Sequence, residues 1–371
     1  MGVFGVSAWD INVNTKITDI QASNLHYSVR MNDSGDFGFD VDIADPVARA
    51  TGQVLMAMNG TPFKVLITAN NDQTILYSGI AWQTDRKPKA GKFPVSGKAL
   101  MSYFTDICIA NSYTTSISPG RLIANAVNDA QLIGPGANRG ITPVLIGLNT
   151  PPNVIPSYNK SQYTTVAQVI SDQTAAVTPG TGGVDYYMSD YFVNNIPAHQ
   201  LNIISPRCGR DHTASGLSVN LMQTIDWDWP SEAFGTGTQV IVVGGGTGGS
   251  QPTATAYDPL PRGGQGQMPL LQAVEQYSQI TTVSQLQTIA NGLAQQIGKP
   301  VVTPSVVIPA DYAPCQLGAF QIGDDVRLWS APSIWFPNGL AEWWRIAAYD
   351  VKVPDQGVPE VTLTFNHPPV F

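Results

Sequence analysis

Hydrophobic and polar positions alternate with period two along most of the first hundred residues. Leu25, Tyr27, Val29 and Met31 alternate with polar neighbours, and so do Phe37, Phe39, Val41 and Ile43, with Asp40 and Asp42 between them. Successive strand side chains point to opposite faces, so this spacing sets one face in a core and the other towards water or a partner. Asn32-Asp33-Ser34-Gly35 separates the two runs as a hairpin turn. Phe63–Thr68 and Thr74–Trp82 follow, linked by Ala69–Asp72, and Phe93–Leu100 predicts a fifth strand. Residues 1–104 therefore predict a small antiparallel barrel or sandwich.

From about residue 105 to 200 the period changes. Ser118-Pro119 opens a helix, with Ser as N-cap and Pro at the first helical position, and Leu122, Ile123, Ala126, Val127 and Ala130 recur at helical spacing. Gly134-Pro135-Gly136 ends it. A second helix begins at a capping box, Thr165 to Gln168, with Val166, Val169 and Ile170 as its apolar stripe, and Pro179–Gly183 closes it. A Pro/Asn-rich connector, Leu148–Asn159, joins the two. This span predicts a small α+β insert.

Strand patterning resumes near Tyr186 and continues over 201–371. Leu201–Ile204, the alternating Leu217, Val219 and Leu221, the alternating Ile225, Trp227 and Trp229, and Gln239–Val243 all read as strands. A Gly/Gln/Pro-rich run over 244–267 predicts an inserted surface loop, and a helix over 282–298 follows. That helix is capped by Thr282, carries a stripe of Val283, Leu286, Ile289, Leu293 and Ile297, and stops at Gly298 and Pro300. Three closing runs, Phe320–Leu328, Trp343–Val353 and Glu360–Phe365, are separated by Pro337-Asn338-Gly339 and Pro354-Asp355-Gln356-Gly357. The fold class expected is mainly β with an α+β insert.

Composition sharpens this picture. Hydrophobic residues make up 43% of the 371 positions, ample for packed cores, while charged residues are only 12%, about half the usual share. A surface this neutral suits faces covered by partner subunits, or a secreted protein adapted to harsh conditions. The net charge of −8 weighs against an attractive nucleic-acid footprint, and no apolar run is long enough to span a membrane. The first ten residues, MGVFGVSAWD, lack the pattern of a secretory signal, and Asp10 argues for a folded start over a lipid anchor. The odd number of cysteines (Cys108, Cys208, Cys315) excludes a full disulfide framework and points to buried thiols.

Candidate chemistry is sparse. Gly244–Gly249 follows a strand but opens no helix and precedes no Lys-Ser/Thr pair, so it fits neither a dinucleotide loop nor a phosphate loop. Cys208, Asp211 and His212 place a thiol, a carboxylate and an imidazole within five residues, although nucleophile pairs are assembled by folds and not by adjacency. His26, His199, His212 and His367 have no zinc-type spacing. Asp185, Asp190, Asp226 and Asp228 are the carboxylates a glycoside hydrolase could use, with Asp226 and Asp228 on one exposed strand face. Trp335, Phe336, Trp343 and Trp344 could stack on a sugar, fill a barrel or anchor a protein interface. No catalytic, cofactor-binding or metal-binding residue is assigned, and no cofactor is expected.

The order of these features resembles the phage tail hub, or baseplate hub, family, which is related to the first part of type VI secretion spike proteins. The resemblance is carried by Gly35–Ile43, the Phe63–Ile67 strand, Ser78-Gly79-Ile80, Gly183–Tyr187, the Val283–Ile297 helix and Leu317–Val326, followed by Arg345-Ile346 and a final hairpin. It implies two tube-type antiparallel β-barrel domains around the insert. It further implies a homotrimer at the virion tail tip, assembled in the host cytoplasm. The implied partners are a distal tail ring protein, a tape-measure protein and other tail-tip or receptor-binding proteins. In such a hub the genome passes through the lumen without sequence-specific binding, and there is no membrane anchor. The resemblance implies no enzymatic activity, and the chain's end at Phe371 leaves no room for the lytic domain that some relatives carry. A cell-wall hydrolase and a carbohydrate- or receptor-binding protein are the alternatives.

Overall fold

The structure is a computed structural model and describes residues 4–69, 73–134, 136–147, 153–175, 183–232, 237–246, 249, 251–257, 269–277, 282–297 and 301–366. The first β half contains β1 (Gly5–Trp9), β2 (Lys16–Ile20), β3 (Ala22–Arg30), β4 (Asp36–Asp42), α1 (Pro46–Ala57), β5 (Phe63–Ala69), β6 (Thr74–Thr84) and β7 (Lys92–Ala99). Tyr27, Phe37, Phe39 and Val41 are buried as the alternation predicts, while Asp42 faces out. Gly79 and Gly97 lie against the Phe37 ring, where a Cβ would come within 2.6 Å of a ring carbon. The helix α1 is an element the hydrophobic pattern did not reveal. Asp45 caps it by accepting from the Val47 N–H at 2.9 Å, and Pro46 occupies its first turn.

The insert comprises α2 (Pro119–Ala130), β8 (Ile141–Ile146), α3 (Val166–Ala175), β9 (Asp185–Val193) and β10 (Ile196–Ile204), the three strands pairing in the order β8-β10-β9. Both predicted helical stripes are buried together with Tyr186, Leu201 and Ile203. Burying each such large apolar side chain stabilises the fold by about 1.5–3 kcal/mol. Gln168 donates its N–H to the Thr165 hydroxyl at 3.2 Å, one half of the expected capping box, while its side-chain amide donates to Asp172 at 2.6 Å; the Ser118 side chain makes no cap bond. Residues 148–152 and 176–182, in the expected connector and helix terminator, lie outside the described residues.

The remaining strands are β11 (Leu217–Asn220), β12 (Asp226–Asp228), β13 (Ser231–Glu232), β14 (Gln239–Gly244), β15 (Thr253–Tyr257) and β16 (Gln272–Tyr277), then α4 (Val283–Ile297). After α4 come β17 (Val301–Val302), β18 (Ser305–Pro309), β19 (Asp325–Ser330), β20 (Leu340–Val353) and β21 (Glu360–Asn366). Part of the expected 244–267 loop is strand: β15 pairs with β14, and Ala254 and Ala256 pack beside Val240 and Val242 under Leu286, Ala290 and Ala294 of α4. Alanine and threonine alternate there, a weak strand signal that pairing with β14 overrides. The first closing run also begins later than its pattern predicts, because Phe320–Asp324 forms turns and β19 starts at Asp325.

The two β halves share one sheet and one core. Thirteen strands connect along the path β12-β18-β21-β20-β3-β4-β7-β6-β5-β1-β2, with β19 on β20 and β11 on β19. Among the described residues no sheet closes into a barrel, in contrast to the two barrels expected. The reason lies at β3. That strand, which would have to meet β2 to close the first half, is paired antiparallel to β20 from Arg30↔Ala348 to Leu25↔Val353. Side chains from both halves, Phe37 and Phe63 with Trp344 and Phe365, accordingly fill a single cluster.

Candidate functional site

The residues singled out for chemistry fall into three places. The first is the loop after β10. Cys208 is fully buried, and burial pushes its thiol up to about 12, against the opposing pull of the Arg345 guanidinium. A thiol in that state is no nucleophile at neutral pH. Asp211 turns its carboxylate back onto Thr213 and Ala214, and the hydroxyl of Thr213 is the main cause of its lowered pKa. His212 is exposed, with its ring 5.8 Å from that of Trp343. Cys208 is therefore buried, whereas Asp211 and His212 are both exposed.

Around Cys208 the structure builds a network that no local motif announces. Arg345 pairs with Asp185 at 2.5 Å, Arg207 with Asp325 at 2.7 Å, and Arg210 with Asp324 at 2.5 Å. Asp324 is 0% exposed and Asp325 is 1% exposed, yet backbone and side-chain donors satisfy both. Asp185 also accepts from Asn32 and from the Cys208 N–H, which ties the start of β9 to both β halves. Two glycines permit the crossing: a Cβ on Gly209 would lie 1.9 Å from the Gly323 carbonyl carbon, and one on Gly323 would lie 2.5 Å from the Cys208 oxygen. Both have positive φ, +82° and +89°.

The second place holds Asp190. Its Oδ1 lies 2.7 Å from Nδ1 of His199, whose Nε2 lies 3.0 Å from the Lys64 ammonium. Lys64 also donates to the Asn14 side-chain oxygen, and Asn14 donates to the Pro197 carbonyl at 2.9 Å. Burial lowers the Lys64 pKa to about 8, with the Asp190 charge opposing the shift and Arg139 adding to it. An aspartate–histidine–lysine chain resembles a proton relay, but His199 is 2% exposed and Lys64 4%. None of the three lines the aromatic cleft of β20 or the cavity bordered by Asn32, Met101 and Tyr186.

The third place is a cleft of about 450 Å³ beside the β19–β20 turn, lined by Trp229, Trp335, Phe336, Leu340, Glu342 and Trp344. Trp335 is 72% exposed and neighbouring Ile334 is 88% exposed. Trp229 meets Phe336 and Trp344 edge-on at 5.3 and 5.4 Å, which fixes the floor. Trp343, grouped with these aromatics by sequence, points to the opposite face of β20, as strand alternation requires. Asp226 and Asp228 are exposed on the edge strand β12, each accepting the N–H of the following residue at 2.9 Å. Asp185, Asp190 and the Asp226–Asp228 pair therefore occupy three separate settings. His26 lies beside Gly38, and His367 lies outside the described residues. Of the Gly244–Gly249 run, Thr247 and Gly248 lie outside them too, and Gly244 donates to the Pro252 carbonyl to open the β14–β15 hairpin. Among the described residues no acidic, histidine or cysteine group is arranged to hold a metal, and no helix is long and apolar enough to cross a membrane.

No protein-family model matches the sequence, and no curated protein matches it. Solved structures do. A tail protein from Neisseria meningitidis MC58 superposes with a TM-score of 0.62 at 12% identity, covering 98% of this chain and 96% of that one. The fold is that of phage tail proteins. The 43 kDa tail protein of prophage MuSo2 from Shewanella oneidensis gives a TM-score of 0.59 at 10% identity over 98% of both chains. Prophage tail protein gp18 from Listeria monocytogenes EGD-e gives 0.54 at 13% identity over 97% of this chain and 94% of that one.

Within this tail-protein fold, the residues that sequence reasoning missed are those paired over long separations. Asp185 and Arg345 lie 160 positions apart, and Lys64 and His199 lie 135 apart. Asp324 and Asp325 fall within the Phe320–Leu328 run that the sequence reads as a strand. Two adjacent aspartates in an apolar stretch, in a chain with few charges, were the one available hint of buried ion pairs. The β6–β7 turn also gathers exposed Arg86, Lys87 and Lys89 beside Lys92, a local basic tip in a chain that reads as acidic overall, with Lys92 paired to Asp40 at 2.9 Å.

Proposed function

We propose that the protein is a structural component of a bacteriophage tail tip, a homotrimeric hub ring. The ring joins the hexameric tail tube or distal tail ring to the three-fold tip and lines the channel for DNA ejection. The observation that carries this reading is the end-to-end likeness to tail proteins, with 98% of this chain and 96% of the Neisseria protein covered. The low charge content supports it, because subunit faces that become interfaces gain little from solvated charges. The net charge of −8 suits a lumen that does not retain DNA. Its partners on this reading are its own copies, the distal tail ring protein, the tape-measure protein and other tail-tip or receptor-binding proteins. The protein acts in the virion tail and catalyses no reaction. Native mass spectrometry of the purified protein is expected to give a trimer, and co-expression is expected to capture the distal tail ring protein. A stable monomer that captures no tail component overturns the proposal.

A second reading, receptor or carbohydrate binding, is favoured by one feature, the aromatic cleft with Glu342 and Asn338 on its rim. An exposed indole offers a flat apolar face to a sugar ring, and the neighbouring carboxylate and amide can accept or donate to its hydroxyls. Glycan-array binding that disappears in Trp335→Ala supports this reading, and an array without signal removes it.

A further inference from the structure

We propose that Lys64, His199 and Asp190 form an acid-released catch between the first β half and the α+β insert. The argument rests on hydrogen-bond direction. An ammonium can only donate, so at 3.0 Å from Lys64 the Nε2 atom of His199 must accept. The ring proton therefore sits on Nδ1 and is donated to Asp190 at 2.7 Å. The chain is complete only while the imidazole is neutral. Adding a proton places an N–H on Nε2, which turns an acceptor into a donor facing a donor. It also sets two positive charges about 3 Å apart, where water is scarce and repulsion is weakly screened.

One anion and two cations act at this junction. On the β5 side stands Lys64, and the segment before β8 supplies Arg139, a second cation whose field reaches Lys64. Asp190 on β9 is the anion in contact with the ring, and it already serves the neutral form. The phenols of Tyr77 and Tyr349, on β6 and β20, face Asp190 and stay neutral, because burial raises both. Asn14, from the β1–β2 turn, is neutral and bonds to Lys64 and Pro197 at once. Release of Lys64 removes one bond from Asn14, while the β1–β2 turn stays tied to the insert through Asn14 to Pro197 and through the Arg139 guanidinium to the Ile11 carbonyl and Asn12. Histidine is the side chain that ordinarily changes charge between pH 5 and 8, and that is the range over which the catch is tested. A second attachment of the insert, Asp185 to Arg345, contains no histidine or lysine and holds as the hinge.

Hydrogen-exchange mass spectrometry of the full chain at pH 7.5 and 5.0, corrected for intrinsic exchange, tests the catch. The wild type is expected to lose at least about tenfold in protection over 63–69 and 185–204 at pH 5.0, while 340–353 is unchanged. His199→Gln keeps one acceptor and one donor without titrating, and Lys64→Met removes the opposing cation. Each is expected to lose less than about twofold. Equal protection of the wild type at both pH values, or the same loss in His199→Gln, overturns the proposal. If neither variant folds, ring nitrogen NMR of wild-type His199 decides. Conversion from the Nδ1–H form to imidazolium must coincide with the loss of protection, and conversion without that loss refutes the catch.

Discussion

Two of the junctions that fasten the α+β insert to the β sheet use opposite chemistry. At one, Asp185 meets Arg345 within a set of arginine–aspartate pairs, each guanidinium held by more than one acceptor. At the other, Asp190 meets a histidine and a lysine in single file. Both are buried, so each depends on satisfied partners to offset the desolvation of its charges. Arginine keeps its charge at any accessible pH and presents a fork that grips carboxylate and carbonyl together. Lysine and histidine hold their positions only while their protonation states agree. Burial alone therefore does not make a polar junction permanent; the identity of the cation does.

Breaking the arginine junction has the largest expected effect. Asp185→Ala leaves the Arg345 guanidinium buried with its carboxylate removed, and a buried pair broken from one side costs about 3–5 kcal/mol. Urea denaturation at pH 7.5 measures it. A loss below about 1 kcal/mol would show that solvent reaches Arg345 and that the two junctions are equivalent. Gly323→Ala attacks the same junction through the backbone. Its positive φ and the 2.5 Å approach to the Cys208 oxygen predict a loss of at least about 1–3 kcal/mol. Gly216→Ala serves as the control, since its φ is also positive but nothing lies within 4 Å. If both variants lose the same amount, the tight crossing contributes nothing.

How far this difference could be read from sequence follows from where its residues lie. Phe37, Phe39 and Val41 declare a buried strand face because period two is a local property, and the α2 and α3 stripes do the same at helical spacing. Helix α1 escaped because only Ala48, Gly52 and Leu55 are buried along it, too narrow a stripe to stand out, although Asp45-Pro46 carried its start signal. Strand β15 escaped because alternating Thr and Ala bury little. That the first half stays open depends on the β3–β20 pairing, a contact between the two ends of the chain that no local window contains. The ion pairs are equally remote. Cys208, Asp211 and His212 illustrate the converse, since proximity in sequence left one of them buried and two exposed.

At the lysine junction the expected effect depends on pH. The folded-state pKa of Lys64 is lowered to about 8 from 10.5, so between those values the unfolded chain binds more protons than the folded one. Stability therefore rises with pH across that window, by at most about 1.4 kcal/mol per unit, and the burial penalty is fully present below pH 8. Lys64→Met removes that rise. Chemical denaturation at pH 8 and 10 checks it. Parallel profiles for the two proteins would show that Lys64 is solvated, and the contrast between the junctions would then rest on His199 alone.

The smallest effect separates both junctions from the aromatic cleft. Trp335 is 72% exposed, so Trp335→Ala should change stability by no more than about 0.5 kcal/mol. Trp229, in edge-on contact with Phe336 and Trp344, should cost clearly more when truncated. Thermal unfolding of both variants measures the pair. A Trp335 that matters as much as Trp229 would mean that the turn supports the β20 core. A Trp335 that matters little would mean that its ring is held out for contact with another molecule. The two junctions hold the subunit's own parts together, so their residues are tested by stability; the cleft, if it serves assembly or receptor contact, is tested by binding, and a stability-neutral Trp335→Ala is the variant with which binding can be measured cleanly.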